Sequence, residues 1–158
     1  MDFCYASEWL SGQPDFPDML RFIMRHGNRD DWSGIALSVG SCLPCEEAFG
    51  VLLKALEAAG TRGMANIMQA IAATKHPQAE STLRRQLSAI WANAGLWNDA
   101  DFTNWVAFDA TMCIADLIEL GAPATDFEGK VRQLSDHVCA GNRRSCRNFL
   151  AKYYPWLK

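Results

Sequence analysis

An all-α fold is the expectation for this 158-residue chain, and two observations predict it. Its apolar clusters recur at the i, i+3, i+4 spacing that lines one face of a helix, and Pro or Gly falls at the ends of those clusters. Strand signals are missing. No segment alternates apolar and polar residues over the roughly four to eight positions that a half-buried strand requires.

The elements follow in order. A first helix is predicted over about 16–25, because Pro17 suits a first turn and Gly27 stops the pattern. Asp31 is placed to cap a second helix reaching Val39. Pro44 opens a third, which carries Phe49, Leu52, Leu53 and Leu56 and ends before Gly60, so the two form a hairpin. A second hairpin is expected across the turn Lys75-His76-Pro77. Its first helix, about 61–74, carries Met64, Ile67, Met68 and Ile71, and its second carries Leu83, Leu87, Ile90 and Trp91. A third pairs about 101–120 with about 125–139 across Gly121-Ala122-Pro123, and 143–153 forms a terminal helix ahead of Pro155. Seven to eight helices in a single domain, 1–158, are therefore expected.

Superposing Ala36 on Ala70, Phe49 on Leu83 and Leu53 on Leu87 gives one constant offset, within the period range of two-helix solenoid repeats. Segments 35–56 and 67–90 resemble repeats of the HEAT/armadillo type, in which a tight turn near a proline joins two helices. The resemblance implies a short right-handed α-solenoid whose curved faces bind proteins, and in some cases an enzyme acting on nucleic acid. The third unit departs from it by being longer.

Composition sets the class. Hydrophobic residues make up 49% and charged residues 21%, a globular balance, and no apolar run reaches the roughly 18 residues of a membrane span. The start, Met1-Asp2-Phe3-Cys4-Tyr5-Ala6-Ser7-Glu8, is acidic where a secretory leader is basic, so a cytoplasmic location is expected. Cysteines in that compartment are reduced.

Charge is distributed unevenly around the net −3. Between Arg85 and Lys130 there is no Lys or Arg, yet Asp99, Asp101, Asp109, Asp116, Glu119, Asp126 and Glu128 all fall there. This stretch predicts an electronegative surface that repels nucleic acid and attracts a cationic partner. The end is basic, with Arg143, Arg144, Arg147, Lys152 and Lys158. A terminal helix bearing these charges is read as a solvated face or a lid paired to the acidic body.

Candidate chemistry is sparse. Cys42-Leu43-Pro44-Cys45 is a C-x-x-C at a helix start, where the dipole lowers a thiol pKa, but a thioredoxin-like site needs a preceding strand and 31–41 reads as helix. Zinc needs further ligands, and Cys139, Cys146, His76 and His137 lack a paired short spacing. His26, His76 and His137 lie far apart with no nucleophile elbow or phosphate loop. Glu46-Glu47, a carboxylate pair, suits the N-terminal dipole of a helix. No catalytic residue, metal or cofactor is assigned.

The segment 102–120 carries the strongest functional expectation. At 100° per residue, Phe102, Val106, Ala110, Cys113, Ile114, Leu117 and Ile118 share one side as a core face. Trp105, Asp109, Met112, Asp116 and Glu119 gather opposite, and Trp97, Asp99 and Asp101 precede them. Apolar anchors among carboxylates fit a protein interface. In size, charge and lack of a catalytic motif the chain is similar to bacterial immunity proteins that neutralise a toxin. That resemblance implies a non-enzymatic inhibitor of a cationic toxin. A repeat scaffold binding a peptide, and a solenoid enzyme acting on nucleic acid, are the alternatives.

Overall fold

The computed structural model describes residues 13–59, 64–92, 100–135, 148–149 and 151–156, with side chains for all of these but 29–30, 100–106 and 135. Among them there are α-helices and a single 3-10 turn, and no strand. The helices are α1 (Phe16–His26), α2 (Arg29–Cys42), α3 (Cys45–Ala59), α4 (Ala65–Thr74), α5 (Ala79–Ala92), α6 (Ala100–Glu119) and α7 (Glu128–Ser135). The 3-10 turn, Ala124–Phe127, leads into α7. Residues 148–149 and 151–153 are helical as well. No helix among the described residues is long and apolar enough to cross a membrane.

The chain divides into two compact units. The first holds 1–60 and 66–79, hence α1 to α3 and nearly all of α4. Pro17 occupies the first turn of α1, and the Gly27 N–H closes its last turn on the Ile23 carbonyl at 2.7 Å. The start of α2 differs from expectation. Asn28, not Asp31, is the cap: the Asp31 N–H donates to Asn28 Oδ1 at 3.2 Å while the Asn28 N–H donates to Asp31 Oδ2 at 2.9 Å. This reciprocal pair is a capping box, in which the acid three residues inside the helix serves the cap residue.

α1 packs on α2 and α2 on α3. The core of this unit gathers Leu20, Ala36, Val39, Ala48, Leu52, Ile67, Met68 and Ile71, all fully buried. Gly40 lets α2 approach α4 closely, because a Cβ there would stand 2.8 Å from the Ala70 carbonyl oxygen. Helix α4 stops at Lys75, which adopts the left-handed conformation with φ of 54°.

The second unit holds 61–65 and 80–158. Met64, Leu83, Ile90, Ala107, Ala110, Cys113, Ile114, Leu117 and Val131 are fully buried there. Gly121, at φ +103°, ends α6. Its N–H meets the Ile118 carbonyl and the Ala122 N–H meets that of Leu117, each at 3.0 Å, the two bonds of a Schellman cap. Where one helix over 125–139 was expected, the chain first makes the tighter 3-10 turn. Pro123 is itself the extended residue before that turn, and residues beyond 135 in that expectation lie outside the described ones.

Candidate functional site

Helix α6, expected to offer a partner face, is instead covered on most of its circumference. Asp109 is fully buried and Asp116 is 3% exposed, whereas Met112 is half-buried and Glu119 is exposed. Two of the three carboxylates expected at a solvent-facing rim, Asp109 and Asp116, therefore sit inside the second unit. Asp109 accepts the backbone N–H of Met64 through both oxygens, at 3.2 and 3.3 Å, and that of Ala65 at 3.1 Å. It satisfies donors that a helix start leaves unpaired, and its charge faces the positive end of the α4 dipole.

Asp116 has the opposite fate. Its Oδ2 is buried without a hydrogen-bond partner among the described residues. Burial, with the Glu119 charge as a smaller contribution, pushes its pKa up to about 7. The neighbouring Cys113 thiol, fully buried, donates to the Leu83 carbonyl at 3.4 Å. Its pKa is driven far up by desolvation and then by the Asp116 and Asp109 charges, so it stays a protonated thiol and no nucleophile.

The remaining acids of the base-free stretch whose side chains are described, Glu119, Asp126 and Glu128, are paired. Tyr153 donates to Glu119 at 2.7 Å and Lys152 lies 3.6 Å from the same carboxylate. Arg84 joins Glu80 at 2.8 Å and Asp126 at 3.0 Å, and its guanidinium covers the Phe127 ring at 5.3 Å. Arg132 pairs with Glu128. Of the acids whose side chains are described, two are thus buried and three are paired at the surface. Arg84 and Arg132 reach these acids from just outside the base-free window and Lys152 from the basic end, whose Arg143, Arg144, Arg147 and Lys158 lie outside the described residues. Trp97 and Asp99 lie outside the described residues. Asp101 and Trp105 lie on α6, with side chains outside the description.

Cys42 and Cys45 flank the turn between α2 and α3, and His76 lies in the turn after α4. Cys45 is exposed and donates to the Thr74 carbonyl at 3.3 Å, and Cys42 is half-buried. His76 stacks on Phe49 with ring centroids 3.9 Å apart and planes 8° from parallel. Its Nδ1 accepts the Gln78 N–H at 3.1 Å, which leaves Nε2 to donate to Glu46 at 3.1 Å when the ring is neutral. His76 therefore closes the turn after α4. Among the described residues no group of three His, Cys, Asp or Glu converges as metal ligands. His137, Cys139 and Cys146 fall outside them.

Among the described residues Leu37 on α2, Phe108 on α6 and Trp156 are exposed large apolar side chains, and α1 carries two together. Phe22 is 63% exposed and Met19 38%. With His26 they occupy i, i+3 and i+7, one side of the helix, while Phe16 and Leu20 turn into the core. Phe22 and His26 contact each other with centroids 4.7 Å apart. Beside them opens a cleft of about 310 Å³ walled by Phe22, Ile23, His26 and Ile35, with Asp31 at its edge. Sequence reasoning did not single this side out, although its spacing is visible there.

Compared with known proteins, the chain matches no family model, no curated protein and no solved structure.

Proposed function

We propose that the protein is a non-enzymatic, protein-binding helical domain that docks its partner on the Met19, Phe22 and His26 side of α1. The observation that carries this is the exposure of Phe22, 63% free on a helix otherwise well anchored by Phe16 and Leu20. An aromatic ring presented on a rigid helix beside an apolar cleft loses little entropy on binding, and such anchors dominate interface energies. The cleft receives one partner side chain, and His26 and Asp31 supply a polar rim.

In its most specific form the domain is a stoichiometric inhibitor of the bacterial immunity type, built from stacked HEAT-like hairpins. The net charge of −3 favours encounter with a basic toxin by long-range steering, even with Asp109 and Asp116 buried. The test is a pull-down from the source organism, followed by affinity measurement on the captured protein with wild type and Phe22→Ala. A one-to-one nanomolar complex that silences the partner's activity, weakened by Phe22→Ala, supports the inhibitor. Micromolar capture of a peptide segment supports an adaptor instead. Binding that is indifferent to both Phe22→Ala and Met19→Ala removes this face from consideration.

A further inference from the structure

A second cleft, of about 500 Å³, opens in the first unit on the other side of α1. Its floor is apolar, made by Met24 of α1 with Val51, Ala55 and Ala58 of α3, and Trp32 of α2 forms a wall. Its charged groups are biased to one sign. Arg21, Arg25 and Lys54 line it against a single carboxylate, Glu47.

Glu47 is already committed. Arg21 holds it with two bonds, Nε to Oε1 at 2.6 Å and Nη2 to Oε2 at 2.8 Å, and takes Asp18 at 2.7 Å on its outer side. That bidentate pairing holds the Glu47 carboxyl below its usual range and the Arg21 guanidinium above its own, so both stay charged. Arg25 acts on Glu47 only through space. Neither Arg25 nor Lys54, both exposed, forms an ion pair among the described residues. An apolar hollow of this size flanked by two unclaimed cations has the makeup of a site for an amphipathic acid.

We propose that this cleft binds a small organic acid with an apolar body, the anionic group held by Arg25 and Lys54 and the body lying on Met24, Val51, Ala55 and Ala58. A pure inorganic anion leaves the apolar floor wet, and a neutral apolar molecule leaves both cations without a counterion. The ligand needs both parts. Trp32 adds a reporter. Its Nε1–H is buried with no acceptor among the described residues, and since water does not reach it, a ligand acceptor meets it only if the indole tips toward the opening. The proposal does not depend on that contact. It is also independent of the docking side of α1, because the two clefts share no residue.

Decanoate and its uncharged analogue decanol are the probes, titrated into the full chain while the Trp32 indole N–H signal is followed by NMR, with Trp32→Phe to assign it. Decanoate should saturate with one-to-one stoichiometry and shift that signal, and decanol should bind at least tenfold more weakly. The double variant Arg25→Gln, Lys54→Gln should weaken decanoate at least tenfold and leave decanol unchanged; both side chains are exposed, so the fold is retained. Ala58→Trp, which fills the cleft, should abolish binding in a protein whose helical circular dichroism is intact. Equal affinity for decanoate and decanol, an unchanged decanoate affinity in the double variant, or shifts confined to other tryptophans would each overturn the assignment.

Discussion

The fully buried carboxylate of Asp109 grips the Met64 backbone N–H with both oxygens, at 3.2 and 3.3 Å. A contact between residues 45 positions apart thus fixes where α4 begins. Asp109→Ala removes the acceptor and strands two buried donors, since Ala65 also bonds to it at 3.1 Å. A stability loss of about 2–4 kcal/mol is expected from the cap and the unsatisfied groups together. Asp109→Asn retains one acceptor oxygen and should cost less. Urea unfolding of the three proteins checks the order, and a wild-type midpoint for Asp109→Ala would contradict it.

Asp116 makes stability depend on pH in an unusual direction. Its folded pKa, about 7, stands above the ordinary 3.8, so between those values the folded state holds a proton that the unfolded state has released. Stability from this group therefore falls as pH rises from about 4 through 7 and then levels off. The penalty above pH 7 is at most roughly 4 kcal/mol, from about three pH units at 1.36 kcal/mol each. Asp116→Asn should flatten that slope and leave the variant more stable than wild type at pH 8. A parallel pH profile for the two proteins would show that Asp116 keeps an ordinary pKa.

These two acids also show where the sequence could and could not be read. Helix positions were legible because Pro17, Gly27, Pro44, Gly121 and Pro123 punctuate the chain, and each acts locally. Asn28 and Asp31 were confused because both are cap-type residues, and only the bonds between them tell cap from third residue. Asp109 and Asp116 were misplaced for a different reason. A helical projection ranks directions around one helix but does not say how many of them are covered, and Ala107, Asp109, Ala110, Thr111, Cys113, Ile114, Asp116 and Leu117 are all buried. A helix with so few polar residues is expected to be enclosed, and that signal was present in the sequence. The Phe22 side was not read because that helix was placed from its ends, Pro17 and Gly27, which say nothing of which of its faces is covered.

Two helix-interior glycines should respond to alanine with opposite signs. Gly40→Ala gains helix propensity but drives a Cβ to 2.8 Å from the Ala70 carbonyl oxygen, a backbone atom that does not swing aside. A net loss of about 1–2 kcal/mol is expected. Gly50→Ala meets nothing within 4 Å and should gain up to about 1 kcal/mol. Thermal unfolding of the pair tests the close approach of α2 to α4; a stabilised Gly40→Ala would show that the helices are farther apart.

The Phe22 side of α1 yields the sharpest functional test because stability and binding should separate there. At 63% exposure the ring contributes little to the core, so Phe22→Ala should change unfolding free energy by less than about 0.5 kcal/mol. Partner affinity should fall by roughly 2 kcal/mol, near thirtyfold, as for a central aromatic anchor. Phe16→Ala reverses the pattern. That ring is 5% exposed, and truncation should cost about 3–5 kcal/mol of stability. Glu119→Lys, in the other unit, repels Lys152 and loses the Tyr153 bond, so a small stability cost with unchanged affinity is expected. Unfolding and affinity measured on the same samples decide the matter: an unaltered affinity in Phe22→Ala beside a weakened one in Glu119→Lys would return the docking face to α6.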